Sequence, residues 1–262
     1  MALIEYNLFG KQDKVAIAIG RLQTFEPPEG YYLAFSGGKD SCVIKALAEM
    51  AKVKHEVYYH NTTIDPPELL HFIRQFHSDV IWTRPKMNFF QAVLKNGYPS
   101  RRMRFCCRVL KEDGGNGRFI LTGIRWKESF KRSQRKMIEV CKDRDAHFLH
   151  PIIDWSDEEV WEFLRGYEIP YCTLYDEGFN RLGCMFCPLA SQKNRILQAE
   201  RWPKYVKAFR RTFLQMYENF KHRPSIARHG SGDNLFEWWL YRMNSDSKEK
   251  DGKAEGLFCM DN

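Results

Sequence analysis

The chain has 262 residues, 44% of them hydrophobic and 28% charged. That is the balance of a globular protein, long enough for one large domain or one domain with an appendage, and it excludes disorder as the overall state. No run of about 18 apolar residues occurs, so no membrane-spanning helix is expected, and Met1-Ala2-Leu3-Ile4-Glu5 lacks the basic-then-apolar layout of a secretion signal. A cytoplasmic protein is the expectation. The formal net charge of +8 is unevenly spread. Residues 101–136 hold twelve Lys and Arg against three acids, and residues 193–228 hold ten against two. Such stretches are either solvated faces or surfaces for nucleotide phosphates or a nucleic acid backbone.

In chain order, Asp13 to Phe25 carries apolar residues at helical spacing and is broken by Pro27-Pro28-Glu29-Gly30. Tyr31 to Phe35 is a short apolar run between turn residues, the mark of a buried strand. Ser36-Gly37-Gly38-Lys39-Asp40-Ser41 follows, and Cys42 to Ala51 reads as a helix. Strands are expected at Glu56–His60, Val80–Trp82 and Phe119–Gly123, with a helix over Pro67–Phe76. Ser156 and Glu159 form a capping box that opens another helix, and residues 198–220 read as a single amphipathic helix. Strands alternating with helices predict a parallel sheet whose ligands bind at the carboxyl ends of the strands. Three regions are expected: an α/β nucleotide-binding domain over 1–150, a helical cysteine-containing region over 151–243, and a polar, mobile tail over 244–262.

The loop at 36–41 has the chemistry of a phosphate cradle. Gly37 and Gly38 allow a sharp turn and close backbone approach, and the next helix points its positive end at the same place. Ser36 and Ser41 add hydroxyls, Lys39 a point charge, and Asp40 a carboxylate able to help hold Mg2+. The loop lacks the pattern of a Walker A motif. At the end of the fourth strand, Gly123, Arg125, Lys127, Glu128, Ser129, Lys131 and Arg132 form a second cluster, where guanidinium forks suit phosphate or sulfate. Thr62, following the second strand, joins the nucleotide-binding candidates.

Eight cysteines in a reducing compartment are expected to be reduced or metal-bound. The adjacent Cys106 and Cys107 and the C-x-x-C pair Cys184 and Cys187 form a soft donor set suited to an iron–sulfur cluster or to zinc, or they are unligated thiols. Arg104, Arg108 and Arg181 lie close in sequence to these cysteines and would offset a cluster's negative charge.

Ser36 to Ser41 resembles the S-G-G-x-D-S PP-loop of the ATP pyrophosphatase superfamily. The tandem cysteines followed by C-x-x-C resemble the [4Fe–4S] site of the adenylyl-sulfate reductases. Gly123 to Ser129 resembles the G-[IV]-R-x-x-E-S signature of the phosphoadenosine phosphosulfate (PAPS) reductase family. Pro151 to Trp161 and Tyr175 to Cys184 resemble that family's P-I-x-x-W…D-V-W and Y-D-x-G-F-x-R-x-G-C segments. The likeness spans residues 31 to about 205. It implies a Rossmann-like fold of the adenine nucleotide α-hydrolase type, with a parallel sheet between helices and a helical C-terminal region.

For function, the resemblance implies an enzyme that cuts ATP between its α- and β-phosphates and adenylates an acceptor for iron–sulfur-assisted sulfur insertion. The ATP-pyrophosphatase subunit of DNA phosphorothioation systems is similar, and the basic stretches suit a nucleic acid acceptor. Sulfonucleotide reductases usually lack the loop lysine, so Lys39 favours ATP. The alternative is reduction of adenylyl sulfate or its 3′-phosphorylated form to sulfite through a C-terminal cysteine. Those reductases end in E-C-G-L-H, whereas this chain ends Glu255-Gly256-Leu257-Phe258-Cys259-Met260-Asp261-Asn262. The implied catalytic set is Lys39, Asp40 and Arg125, with Cys259 as a candidate nucleophile. ATP, Mg2+ and a [4Fe–4S] cluster (or zinc) are the implied cofactors. A cysteine desulfurase or a thioredoxin-like donor is the implied sulfur or electron partner, and a homo-oligomer is expected.

Overall fold

Strand β3 (Tyr31–Phe35) is apolar along its whole length because both its faces are covered, with Tyr31 and Leu33 fully buried. The computed structural model describes residues 3–7, 10–111, 114–141 and 145–243, and elements are numbered in chain order. The candidate nucleophile Cys259 and the expected tail lie outside the described residues. The chain divides into two compact units. Unit 1 comprises Met1–His60, Pro67–Thr83 and Gly114–Gly183; unit 2 comprises Asn61–Pro66, Arg84–Asp113 and Cys184–Asn262.

Unit 1 is built on a six-stranded sheet in the order β5 (Ile81–Thr83), β4 (His55–His60), β3, β6 (Phe119–Leu121), β8 (Ala146–Leu149) and β7 (Ile138–Cys141). All neighbours are parallel except β7 and β8, which pair antiparallel with Ile138 opposite Leu149. The expected parallel α/β sheet flanked by helices is thus the architecture of this unit. The edge strand β7, absent from the expected elements, is only four residues long, too short to show a period, and its Val140 is exposed. A separate antiparallel pair, β1 (Ile4–Asn7) and β2 (Gly10–Asp13), precedes helix α1 (Lys14–Thr24). Asp13 caps that helix, accepting from Val15 N at 2.9 Å and Ala16 N at 3.1 Å.

The strand order fixes where a ligand would lie. From β3 the chain moves outward through β4 to β5, then returns to the other side of β3 as β6 and β8. The order reverses between β3 and β6, paired through Tyr32–Ile120 and Leu33–Leu121. The loops leaving the carboxyl ends of these two strands therefore border one crevice. Helix α2 (Lys39–Ala51) begins inside the phosphate-loop motif, three residues earlier than its apolar pattern suggests, because Gly38 is its N-cap. Helices α3 (Pro67–Phe76) and α6 (Phe130–Ser133) complete the sheet's connections. Helix α7 (Asp157–Gly166) carries the expected capping box: Ser156 N donates to Glu159 Oε2 at 2.7 Å, and Glu159 N to Ser156 Oγ at 3.3 Å.

Unit 2 contains α4 (Phe89–Asn96), α5 (Phe105–Lys111), α8 (Gln192–Arg201), α9 (Pro203–Phe220), α10 (Pro224–Ala227) and α11 (Gly232–Glu237). The single helix expected over 198–220 is two helices. Trp202 leaves helical geometry (φ −125°, ψ 65°) because the ring of Pro203 opposes an α conformation in the residue before it, while Pro203 itself suits a helix's first turn. The core is aromatic: Phe209 stands 5.1 Å from Phe89 and 4.9 Å from Phe186, and Phe213 stands 4.7 Å from Trp239, ring centre to ring centre. Phe209 and Trp202, within the basic stretch 193–228, are buried in this unit. Trp126 of unit 1 is exposed. Among the described residues no helix is long and apolar enough to cross a membrane.

Candidate functional site

In unit 1 the phosphate loop turns as its composition requires. Gly37 has φ +71°, and a Cβ there would lie 2.7 Å from Leu69 and 2.8 Å from Ile73, so a side chain would meet both strain and a clash. Ser41 Oγ donates to Gly38 O at 2.7 Å, Ser36 Oγ to Ser41 Oγ at 3.3 Å, and Gly38 N to Ser36 Oγ at 3.4 Å. Lys39 N donates to the Tyr175 hydroxyl at 2.9 Å. Burial raises the pKa of that phenol, so it stays protonated. Gly123, at the end of β6, packs so closely that an added Cβ would lie 2.9 Å from Asp40 Cβ and 3.0 Å from its carbonyl carbon. The two motifs thus meet at their backbones.

Two cations and two carboxylates interlock above this loop. Arg125, 1% exposed, donates from Nε to Asp40 Oδ1 at 2.7 Å, from Nη2 to Asp157 Oδ1 at 2.5 Å and from Nη1 to Trp155 O at 3.3 Å. Lys39 Nζ lies 3.3 Å from Asp40 Oδ2 and 3.4 Å from Asp157 Oδ1. Burial opposes the ionisation of Asp157, but Lys39 and Arg125 outweigh it and hold the carboxyl below its usual range. Burial likewise opposes the charge on Arg125, and Asp40 and Asp157 overcome that opposition. Glu128 serves the loop rather than the crevice: its Oε2 accepts from Arg125 N at 2.9 Å, and it pairs with Arg132. Ser129 Oγ caps α6, accepting from Arg132 N at 3.3 Å.

Beside Lys39 opens a cavity of about 230 Å³, also lined by Asp157, Trp161, Arg165, Tyr175 and Asn180. Arg165 lies over the Trp161 ring, 5.5 Å from its centre, and Trp161 stands edge-on to Tyr175 at 5.2 Å. Ser36, Gly37, Gly38, Lys39, Asp40, Ser41, Gly123 and Arg125 are therefore assembled in one place, with Glu128 and Ser129 supporting the loop. The sequence did not single out Asp157 as a site residue; it lies between Ser156 and Glu159, the two members of the capping box. The signal available was its position in the first turn of a helix immediately after a motif tryptophan.

Thr62 is placed elsewhere, in unit 2, buried beside Cys184. All four candidate metal ligands also belong to unit 2: Cys106 and Cys107 on α5, Cys184 and Cys187 before α8. They are free thiols. Cys107, burial, Cys184 and Cys187 together push the Cys106 thiol up. Cys106 donates a hydrogen bond that favours the Cys107 thiolate, aided by Lys111 and by Arg104, whose Nη2 lies 3.8 Å from Cys107 Sγ. Burial pushes the Cys184 thiol up, against the pull of Lys111. Among the described residues no three ligating side chains converge tightly enough for a single ion; four thiolates on one zinc would lie about 3.8 Å apart, given Zn–S bonds of about 2.3 Å. Soft thiol donors on two segments, with Lys111 and Arg104 beside Cys107, are the residues of this unit that could hold a metal group.

Fold and loop together define a PP-loop nucleotide-binding α/β protein. The chain belongs to the PAPS reductase domain family, whose pattern matches residues 30–190. It is 29% identical over 232 residues to an uncharacterised protein of Methanocaldococcus jannaschii, covering 80% of this chain and 45% of that one. It is 24% identical over 213 residues to the adenosine 5′-phosphosulfate reductase of Bacillus cereus, covering 76% and 91%. The chain spans less than half the length of the first curated relatives it matches. The crystal structure of a Candida auris PAPS reductase in complex with phosphate aligns with a TM-score of 0.51 at 18% identity, covering 64% of this chain and 87% of that one, a likeness of fold.

Proposed function

We propose that this protein cleaves ATP to AMP and pyrophosphate and uses the AMP to activate an oxygen of an acceptor, which sulfur then displaces. In the first step an acceptor oxygen attacks the α-phosphorus and pyrophosphate leaves. In the second a sulfur nucleophile attacks the activated centre and AMP leaves. The observation that carries the reading is Lys39. Its side chain, 8% exposed, stands with Arg125 against Asp40 and Asp157, so two cations are assembled where a leaving pyrophosphate would need them. Phosphate oxygens would replace the carboxylates on these cations, and the freed Asp40 carboxylate is the group to hold Mg2+. The backbone N–H groups of the loop and the start of α2 complete the cradle.

Cys106, Cys107, Cys184 and Cys187 are the residues to hold a [4Fe–4S] cluster, which when bound would supply electron transfer or sulfur-carrying chemistry. The acceptor class favoured is nucleic acid, as in DNA phosphorothioation. The support is charge: the sequence of unit 2 holds 22 Lys and Arg against 12 acidic residues. The test is product analysis on anaerobically purified protein given ATP and Mg2+, with and without DNA. AMP with pyrophosphate is the expected outcome.

A second reading, reduction of adenylyl sulfate to sulfite, is favoured by the curated adenosine 5′-phosphosulfate reductases that the chain resembles. No AMP from ATP, together with sulfite from adenylyl sulfate and thioredoxin, would establish it instead. A Cys259→Ser variant separates the two further, since only the reductase depends on a tail nucleophile.

A further inference from the structure

Arg195, on α8, is a fully buried guanidinium with one of its three nitrogens satisfied among the described residues. It is 0% exposed, and among the described residues only Nη1 finds a partner, donating to Trp239 O at 3.0 Å, while Nε and Nη2 find none. Among the described residues no carboxylate pairs with it. A guanidinium cannot escape by losing its proton, so an unpaired one in the interior is among the costliest arrangements a fold can carry.

Its surroundings indicate what would satisfy it. Burial opposes the charge on Arg195, Arg101 lies within electrostatic reach and opposes it further, and Cys187 lies within the same reach and favours it. Arg101 Nε donates to Pro188 O at 3.4 Å, one residue beyond that cysteine. The segment between Cys187 and α8 is held by Ala190 N donating to Cys187 O at 2.9 Å, and by Ser191, which caps the ten-residue helix. Arg101 thus meets the residue that follows Cys187, and Arg195 stands on the helix that starts shortly after it. The cations nearest the cysteines in sequence, Arg104, Arg108 and Arg181, gave no hint of Arg195, which is eight residues from Cys187.

We propose that Arg195 is a positioning residue for an anionic iron–sulfur centre on Cys106, Cys107, Cys184 and Cys187, its free Nε and Nη2 donors serving the sulfur at the Cys187 side. The inference rests on the iron–sulfur reading above. It makes a prediction that a structural arginine does not: the residue is a burden to the metal-free protein and an asset to the loaded one.

The experiment compares wild type, Arg195→Met and Arg195→Lys, each metal-free and after anaerobic reconstitution with iron and sulfide. Iron content, melting temperature and cluster midpoint potential are read. Metal-free Arg195→Met should melt at the wild-type temperature or higher, since an apolar side chain of similar volume replaces an unpaired charge. Once loaded it should show a smaller gain in melting temperature than wild type. Its midpoint potential should be more negative, because a cation that favours the reduced, more anionic cluster has gone. Arg195→Lys, which keeps the charge, should recover most of the potential.

Loaded Arg195→Met matching wild type in potential and thermal gain would overturn the role of Arg195 and leave the cluster standing. A metal-free Arg195→Met that fails to fold, or melts as far below wild type as its loaded form does, would show a purely structural arginine. Wild type that takes up no iron would overturn both readings.

Discussion

The two units treat buried charge in opposite ways. In unit 1 the sequence is nearly balanced, with 19 basic and 21 acidic residues, and its buried cations are neutralised from within. Arg125 is divided between Asp40 and Asp157, and Lys14 pairs with Glu159 at 2.6 Å and Glu5 at 2.8 Å. In unit 2 basic residues exceed acidic ones by ten in sequence, and Arg195 is buried with two nitrogens that find no partner among the described residues. On the readings proposed above, these are two ways of preparing for an anion. A paired cation holds a place that a ligand must win by displacing carboxylates. An unpaired one lowers the stability of the empty protein and raises that of the filled one.

The sharpest way to break this contrast is to remove the central cation of unit 1. Lys39→Ala should lower AMP formation from ATP by about 100-fold or more, the scale seen when one preorganised electrostatic contact to a transition state is lost. Nucleotide product analysis reads this directly, and turnover within a few-fold of wild type would sink the assignment.

Acid should test unit 1 next, through buried groups that resist charge rather than pair it. Burial lowers His77 and His150 to about 4, below their usual 6.5. Lys45 adds to the effect at His77, and Arg135 at His150. The unfolded chain therefore binds these protons first. Stability should be full above pH 6.5 and fall as pH drops towards 4, by about 3 kcal/mol for each of the two histidines. Denaturant titrations across that range measure the slope, and His77→Gln with His150→Gln should flatten it.

For unit 2 the corresponding test is electrostatic. Lys204, Lys207 and Arg211 lie exposed on α9. Replacing all three with Gln should weaken binding of duplex DNA about tenfold at 0.1 M salt and lower the slope of log K against log salt by up to about three. Unchanged binding and slope would remove α9 from any nucleic acid surface.

The smallest expected effect sharpens the idea of competition. Asp157 is half-exposed while its partner Arg125 is buried. Asp157→Asn should tighten binding of a non-hydrolysable ATP analogue roughly two- to five-fold, the worth of a partly exposed ion pair no longer opposing the phosphates. Weaker binding of the analogue would mean that Asp157 helps to hold the nucleotide rather than competing with it.

The sequence by itself determined the parallel α/β fold, the phosphate loop, the second arginine motif and the α7 capping box, because each is a local pattern. A buried strand is apolar at successive positions, a sharp turn at an anion needs glycine, and a cap lies three residues from its partner. Only the tertiary structure decided which charges meet. Asp40 and Arg125 are 85 residues apart yet lie 2.7 Å from each other, and Asp157 joins them from the start of α7. The split of 198–220 at Pro203 was legible in principle, but the apolar periodicity that runs across it concealed the break. Thr62, grouped by sequence with the nucleotide loop, folds with the cysteines because the chain crosses between units after β4. Arg195 was invisible for a related reason: whether an arginine is solvated or stranded depends on what surrounds it in space, and no spacing along a chain records that.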